Sequence, residues 1–254
     1  MVKLSIVIPI LEEGKELDRT IDSIELQKDA LAFVEVIVVC KSNNMTDGKI
    51  VNLSIGQSMA KIYYYDDTGE YDAMNYGVTL ASGKYIQILC AGDEYYAHDT
   101  LKNLMPYLNT KDIVFGDLIY TTPGGGKVIR YWKSSWSKND WKYGKMIPHP
   151  STFISKEFHK RVGFYNLNYD VIADYELLMR ALVKHKADIK HVKQVIVRMD
   201  TGGRSYGGVT GSLEQHGSTL DALKKLYLNP GILYFPMKAF DRWKQYINAL
   251  IYFR

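Results

Sequence analysis

Leu4-Ser5-Ile6-Val7-Ile8-Pro9, followed after one intervening segment by Val34-Glu35-Val36-Ile37-Val38-Val39-Cys40, is the stretch from which the fold can be read. Both runs are almost continuously apolar and rich in β-branched residues, as in strands buried on both faces. Pro9 stops the first run. Between them, Lys15 to Gln27 sets Leu17, Ile21, Ile24 and Leu26 mostly on one helical face, with Asp18, Arg19 and Asp22 opposite. A strand, a helix and a strand within about 40 residues form a right-handed βαβ unit, so the sheet begins parallel.

Working outward, the pattern repeats. Asn43 to Gly48 reads as a polar turn, Ile50 to Met59 as a weak helix, Ala60 to Tyr65 as a third strand, Tyr71 to Ala81 as a helix and Tyr85 to Cys90 as a fourth strand. The expected fold class is α/β, with a Rossmann-like, mostly parallel central sheet flanked by helices. Asp93 then lies just past a strand's C-terminal end, where open α/β sheets bind their ligands.

After residue 100 the pattern predicts a helix at Thr100 to Leu108, a strand at Asp112 to Phe115, and a hairpin from Leu118 to Trp132 that turns at Pro123-Gly124-Gly125-Gly126. That glycine run is a hairpin tip rather than a phosphate loop, because no helix with a lysine follows it. A short strand at Thr152 to Ile154, helices at Lys156 to Val162 and Asp174 to His185, and a strand at Ile189 to Val197 come next. From Pro236, Met237, Phe240, Trp243, Ile247, Leu250 and Ile251 recur at helical spacing, with Lys238, Asp241, Arg242 and Lys244 on the other side. That is an amphipathic helix carrying basic residues.

Composition bounds the function. The 254 residues are 46% apolar and 24% charged, which is ordinary for a globular protein. A net charge of +4, from 32 basic and 28 acidic residues, is too mild to favour nucleic acid as a partner. Cys40 and Cys90 each close an apolar run, the setting of a reduced, buried thiol in a cytoplasmic protein, so no disulfide framework is expected. The N-terminal run is too short and strand-like for a signal peptide, and no apolar stretch is long enough to span a membrane. Twenty tyrosines and four tryptophans supply rings that line sugar sites or fill cores.

Two acidic positions carry candidate chemistry. A hard divalent cation held by one or two carboxylates and by phosphate oxygens stabilises a departing diphosphate, and Asp93 and Glu94 could anchor it. Gly92 beside them lets a diphosphate approach the backbone. The bland alternative is a strand-end turn with solvated acids. Asp174, in Ala173-Asp174-Tyr175-Glu176-Leu177, is an N-cap on one reading and a general base on the other. His149, fixed between Pro148 and Pro150, contacts phosphate or acceptor unless it is structural. Gly202-Gly203-Arg204-Ser205 has the makeup of a loop closing over an anionic ligand, or of a plain surface loop.

Read together, Gly69-Glu70-Tyr71-Asp72-Ala73-Met74-Asn75-Tyr76-Gly77, Ala81-Ser82-Gly83 and Leu89-Cys90-Ala91-Gly92-Asp93 resemble, in order and spacing, the signature blocks of glycosyltransferase family 2. The likeness runs from about Leu4 to Ser205 and is closest to bacterial polysaccharide and O-antigen transferases. It implies the GT-A fold and inverting sugar transfer from a nucleotide-sugar, UDP-linked by preference, with Mg²⁺ or Mn²⁺. By this resemblance Asp93 is the metal-binding acid and Asp174 the catalytic base. Pro9, Glu13, Asp67 and Asn75 would face the nucleotide together with Gly92, and Asp47 matches the family's T-D-G acid two residues late. Tyr71, His149, Arg204 and Ser205 are the candidate acceptor or phosphate contacts. The chain departs from the pattern at Leu11, Glu12, Cys40 and Cys90, and Cys40 stands where an Asp usually contacts the base.

The expected layout is a transferase domain over 1–230, with a nucleotide-sugar half (1–100) and an acceptor half (101–230), then a C-terminal helix over 231–254. The acceptor would be a glycan or lipid-linked saccharide. The basic helix would lie on an anionic membrane, pack on the sheet or pair in a dimer. Localisation would be cytoplasmic, at the inner face of the membrane if the helix binds lipid. A degenerate nucleotide-sugar-binding protein is the rival reading, and a sugar nucleotidyltransferase a weaker one, since acids rather than a basic glycine-rich loop follow Pro9.

Overall fold

The computed structural model describes residues 3–42, 50–55, 58–201 and 209–253. β1 (Leu4–Ile10) is buried along its whole length. It is followed by α1 (Lys15–Glu25), β2 (Val34–Lys41), β3 (Ile50–Ile55), β4 (Ser58–Tyr65), α2 (Glu70–Leu80) and β5 (Tyr85–Ile88). The two-residue β6 (Glu94–Tyr95), α3 (Thr100–Leu104), β7 (Ile113–Thr121), β8 (Val128–Trp132), β9 (Thr152–Ser155) and α4 (Lys156–Val162) lead into α5 (Ala173–Met179). β10 (Ile189–Asp200), α6 (Val209–Lys225) and α7 (Tyr234–Tyr252) complete the chain.

The strands form one mixed sheet in the order β3-β4-β2-β1-β5-β9-β7-β10-β6, with β8 paired to β7. β1 pairs parallel with both β2 and β5, and β2 with β4, as the repeated βαβ pattern requires. Alternate residues of β1 feed two cores. Leu4, Ile6 and Ile8 pack with α1 and α3, whereas Val7 packs with α2 against Phe158 and Leu177. Each such fully buried aliphatic side chain contributes about 1.5–3 kcal/mol.

Three sequence expectations are corrected. Ile50 to Met59 is not a helix: β3 pairs antiparallel with β4, from Ile50 opposite Tyr63 to Ile55 opposite Ser58. The alternation Val51-Asn52-Leu53-Ser54-Ile55 has a period of two, as a strand does. The strand at Asp112 to Phe115 and the first arm of the hairpin are one continuous strand, β7. Gly116 stays in line there because a Cβ would stand 2.9 Å from the Gln194 carbonyl oxygen of β10. The helix expected to His185 changes after Met179 to a π turn over Arg180–Lys184. α6 had no counterpart in the sequence reading.

The C-terminal helix also packs the other way round from an ordinary amphipathic helix. Gln245 and Ala249 are buried against β8 and its neighbours, while Phe240, Trp243, Leu250 and Ile251 face outward.

The Ala81-Ser82-Gly83 turn is held by Glu35 of β2. The Glu35 carboxylate accepts from Ser82 N–H, Ser82 Oγ, Gly83 N–H and the Ser5 hydroxyl, and these donors lower its pKa against the desolvation that would raise it. A Cβ on Gly83 would lie 2.7 Å from the Ser5 nitrogen and 2.9 Å from the Leu4 carbonyl carbon, both backbone atoms of the central strand. Gly83→Ala should therefore destabilise the protein by roughly 1–3 kcal/mol, read as a lower urea midpoint at unchanged slope.

Candidate active site

The C-terminal ends of the parallel strands converge on one edge of the sheet. There a cavity of about 850 Å³ is lined by Pro9, Glu13, Arg19, Asp67, Glu70, Gly92, Asp93 and Asp200, among others. A second cleft, of about 600 Å³, opens at the opposite strand ends, where its Lys111 pairs with Asp188 and its Lys160 with Glu157.

The floor of the first cavity is the turn after β5. Gly92 has φ +93°, a conformation that only glycine adopts readily. Its N–H reaches the Thr20 hydroxyl at 2.9 Å, and that hydroxyl donates to the Asp93 carbonyl at 2.8 Å. Thr20 of α1 thus staples the turn and fixes the direction of the Asp93 side chain. Asp93 is 5% exposed, and its Oδ2 has no hydrogen-bond partner among the described residues. Burial, then Glu70 and Asp200, push its pKa well above the carboxylate range.

Glu94, the other candidate anchor, is not free. Arg19 of α1 and Arg198 of β10 both pair with it, and Arg19 also reaches Asp200 at 2.9 Å. Asp200 in turn accepts from Gly124 N–H, Gly125 N–H and the Thr121 hydroxyl at 2.9–3.2 Å. Burial alone would raise its pKa, and these donors together with Arg19 outweigh it and lower it. The glycine run is therefore a hairpin tip tied down beside the cavity. Arg19, Glu70 and Asp200 escaped the sequence reading because only tertiary packing brings them to Asp93.

The nucleotide-side candidates occupy the other wall. Glu13 accepts from the Tyr64 hydroxyl at 2.5 Å, which pushes the tyrosine up to about 12. Asp67 is buried, and its carboxylate takes the Gly69 N–H at 3.0 Å and Lys41 Nζ at 3.4 Å. The Cys40 thiol sits buried at the end of β2, its pKa raised by burial and then by Glu13 and Asp67.

Asp174 lies in the first turn of α5. Ile172 holds the N-cap position and no side chain caps the helix, which removes the capping role. Instead the Asp174 carboxylate accepts from the Tyr71 hydroxyl at 3.1 Å. The hydroxyl's pKa is pushed far up, by burial first and then by Asp174. Tyr71 stacks on Tyr165 with ring centroids 5.7 Å apart, and His149 Nε2 lies 2.8 Å from the Tyr165 hydroxyl. Burial lowers the pKa of His149, against the opposing pull of Asp174 and Glu70. Asn75 does not line the cavity. Its amide accepts from Tyr165 N–H at 2.8 Å and donates to the Tyr165 carbonyl at 3.0 Å, holding that backbone. Cys90 ties the two acidic centres together: burial raises its pKa, and Glu70, Asp93 and Asp174 add to the shift. Asp47, Arg204 and Ser205 lie outside the described residues.

A buried carboxylate oxygen with no partner among the described residues, near further carboxylates, could hold a cation. The donor set suits a hard divalent ion that keeps most of its ligands from phosphate and water. No cluster of three or more metal-ligating side chains occurs among the described residues.

The family described as Glycosyl transferase family 2 matches residues 5–158. A PGL/p-HBAD biosynthesis glycosyltransferase of Mycobacterium bovis (strain BCG / Pasteur 1173P2) is 26% identical over 215 residues, 82% of this chain and 79% of its own length. S. aureus TarS 1–349 in complex with UDP superposes with a TM-score of 0.58 at 14% identity, over 79% of this chain and 61% of that chain. The mannosyltransferase PcManGT from Pyrobaculum calidifontis, in complex with GDP-Man and Mn²⁺, gives 0.58 at 14% identity over 98% and 74%. At such identities the two structures bear on the fold alone, and that fold is GT-A.

Removing the Asn75 amide leaves two backbone groups of Tyr165 without partners. Asn75→Ala should cost about 1–3 kcal/mol of stability, checked by chemical denaturation. A residue that only touched nucleotide would weaken donor binding and leave the midpoint unchanged.

His159, which packs on Tyr165, is pushed by burial from its ordinary 6.5 to about 4. The unfolded chain takes up this proton through about pH 6.5 and the folded chain does not until about pH 4, so stability should fall as pH drops through that window. His159→Phe should make the fall of the denaturation midpoint shallower.

Proposed function

The chain belongs to glycosyl transferase family 2, and from that premise we propose that it is an inverting transferase that moves a sugar from a nucleoside-diphosphate donor to an acceptor hydroxyl. The observation carrying this reading is the buried, unpartnered Asp93 Oδ2 at the floor of a large cavity, with the Asp174 carboxylate held by Tyr71.

Donor binding falls to the wall formed by Pro9, Glu13 and Asp67, with Gly92 allowing the diphosphate to approach the backbone. UDP is the favoured carrier. The mannosyltransferase with GDP-Man has the same fold, so guanosine donors belong in the test. Asp93 Oδ2 would hold Mg²⁺ or Mn²⁺, which would offset the charge of the leaving diphosphate. Asp174 takes the proton of the acceptor hydroxyl as its oxygen bonds to the anomeric carbon and the bond to the diphosphate breaks, which inverts that carbon. The Tyr71 hydroxyl orients Asp174, and Asn75 and His149 fix Tyr165 beneath the Tyr71 ring.

The first hundred residues serve the donor, and 101–230 shape the acceptor side. The acceptor we favour is a glycan or lipid-linked saccharide in surface-polysaccharide assembly. No helix among the described residues is long and apolar enough to cross a membrane.

The test is release of nucleotide from a panel of UDP-, GDP- and dTDP-sugars with and without Mn²⁺, alongside thermal shift. Wild type should be stabilised by Mn²⁺ plus one nucleotide. Asp93→Asn should lose that shift, and its metal-free form should melt no lower than wild type, because the cost of burying an unpartnered carboxyl among acids is gone. Asp174→Asn should keep the shift and lose roughly 10²–10⁴-fold in turnover. Absence of any metal-dependent nucleotide binding in the wild type would refute the reading.

A further inference from the structure

α7 is amphipathic in the inverted sense. Its polar side faces the protein: Gln245 is buried, accepts from Arg130 Nε at 2.8 Å and donates to Asp241 at 3.2 Å. The Tyr234 hydroxyl meets that of Tyr175 at 2.5 Å. The apolar side, made of Phe240, Trp243, Tyr246, Ile247, Leu250 and Ile251, faces away, with Trp243 56% and Ile251 65% exposed. At 100° per residue these six side chains share one continuous arc, flanked by Arg242 on one margin and Lys244 on the other. Ile232, just ahead of the helix, is 95% exposed as well. So large an exposed apolar surface marks an interaction site.

We propose that α7 seats the protein on an anionic lipid bilayer, lying in the headgroup plane with this arc immersed. Charge decides the occupant. The exposed arc carries no acid, and Asp241, the one acidic residue within α7, is turned inward onto Gln245. A two-fold interface with a second copy would set the cationic margins against each other without counter-charge, whereas anionic headgroups complement them. Trp243 and Tyr246 are ring types suited to the headgroup level. At 19 residues with its polar side bonded to the protein, α7 can lie on a bilayer and is not apolar enough to cross one.

The same helix borders the active site. Lys238 lies over the Tyr175 ring at 5.3 Å, next in sequence to Asp174, and its pKa is lowered to about 8 by burial and by Arg242 while Asp174 opposes the shift. Burial raises the pKa of Tyr120, and its hydroxyl senses Arg130, Asp93, Arg242 and Asp174 as well. A bilayer under α7 would therefore lie close to α5, the helix that carries Asp174. This deepens the reading that the acceptor is lipid-linked and rests on it for that consequence, whereas bilayer binding can be tested without it.

The experiment is flotation of the full chain with phosphatidylcholine vesicles, either pure or containing about one-third phosphatidylglycerol. Wild type should float with the anionic vesicles and release as salt rises. The outward triple variant Trp243→Ser, Ile247→Ser, Leu250→Ser should bind at least about tenfold more weakly, with unchanged donor hydrolysis and melting temperature. Arg242→Gln with Lys244→Gln should weaken anionic-vesicle binding alone. The proposal is overturned if wild type floats with neither vesicle, if the triple variant floats as wild type does, or if sedimentation shows a wild-type dimer that the triple substitution dissociates. Loss of donor hydrolysis in wild type with flotation intact would refute the transferase reading and leave the membrane proposal standing.

Discussion

The Thr20 hydroxyl donates to the Asp93 carbonyl and accepts from the Gly92 N–H, and the acidic centre depends on this one buried group. It locks a left-handed glycine turn onto α1, so the carboxylate that follows points inward, away from water. One turn of the same helix carries Arg19, which pairs with Glu94 and Asp200. Arg19 thus pairs with two of the acids near Asp93, whereas Asp93 Oδ2 has no partner among the described residues. Leaving one buried carboxylate unpaired costs stability, a cost that the proposed cation would relieve.

Asp174 is positioned by a different device. Its helix is short and uncapped, so precision comes from packed rings rather than from the helix itself. Asn75 clamps the Tyr165 backbone, Tyr165 supports Tyr71, and Tyr71 donates to Asp174. Every link is buried or half-buried, where hydrogen bonds hold geometry best. The high tyrosine content finds part of its explanation here, in rings that carry position from the core to a carboxylate.

α7 links this site to the exterior. Its inward polar side is satisfied by Arg130 and Tyr175, partners that only the folded chain assembles, which frees its apolar side to face outward.

The sequence by itself determined the α/β class, the parallel start of the sheet and the place of Asp93 at a strand end, because strand burial and helix periodicity are local patterns. It also determined the family, through an ordered run of short motifs. It misjudged Ile50 to Met59, read as a weak helix although Val51 to Ile55 alternates with a period of two, and it had no signal for α6. What only the tertiary structure decided is which polar groups meet. Glu94 and Asp93 are adjacent in sequence, yet one is doubly paired and the other has a bare buried oxygen. Asn75 stands within a signature block yet holds a backbone rather than lining the cavity. The polar face of α7 points inward although its periodicity says only that two faces exist. Periodicity fixes the faces of an element, but which face is buried depends on partners distant in sequence, and those meet only when the chain has folded.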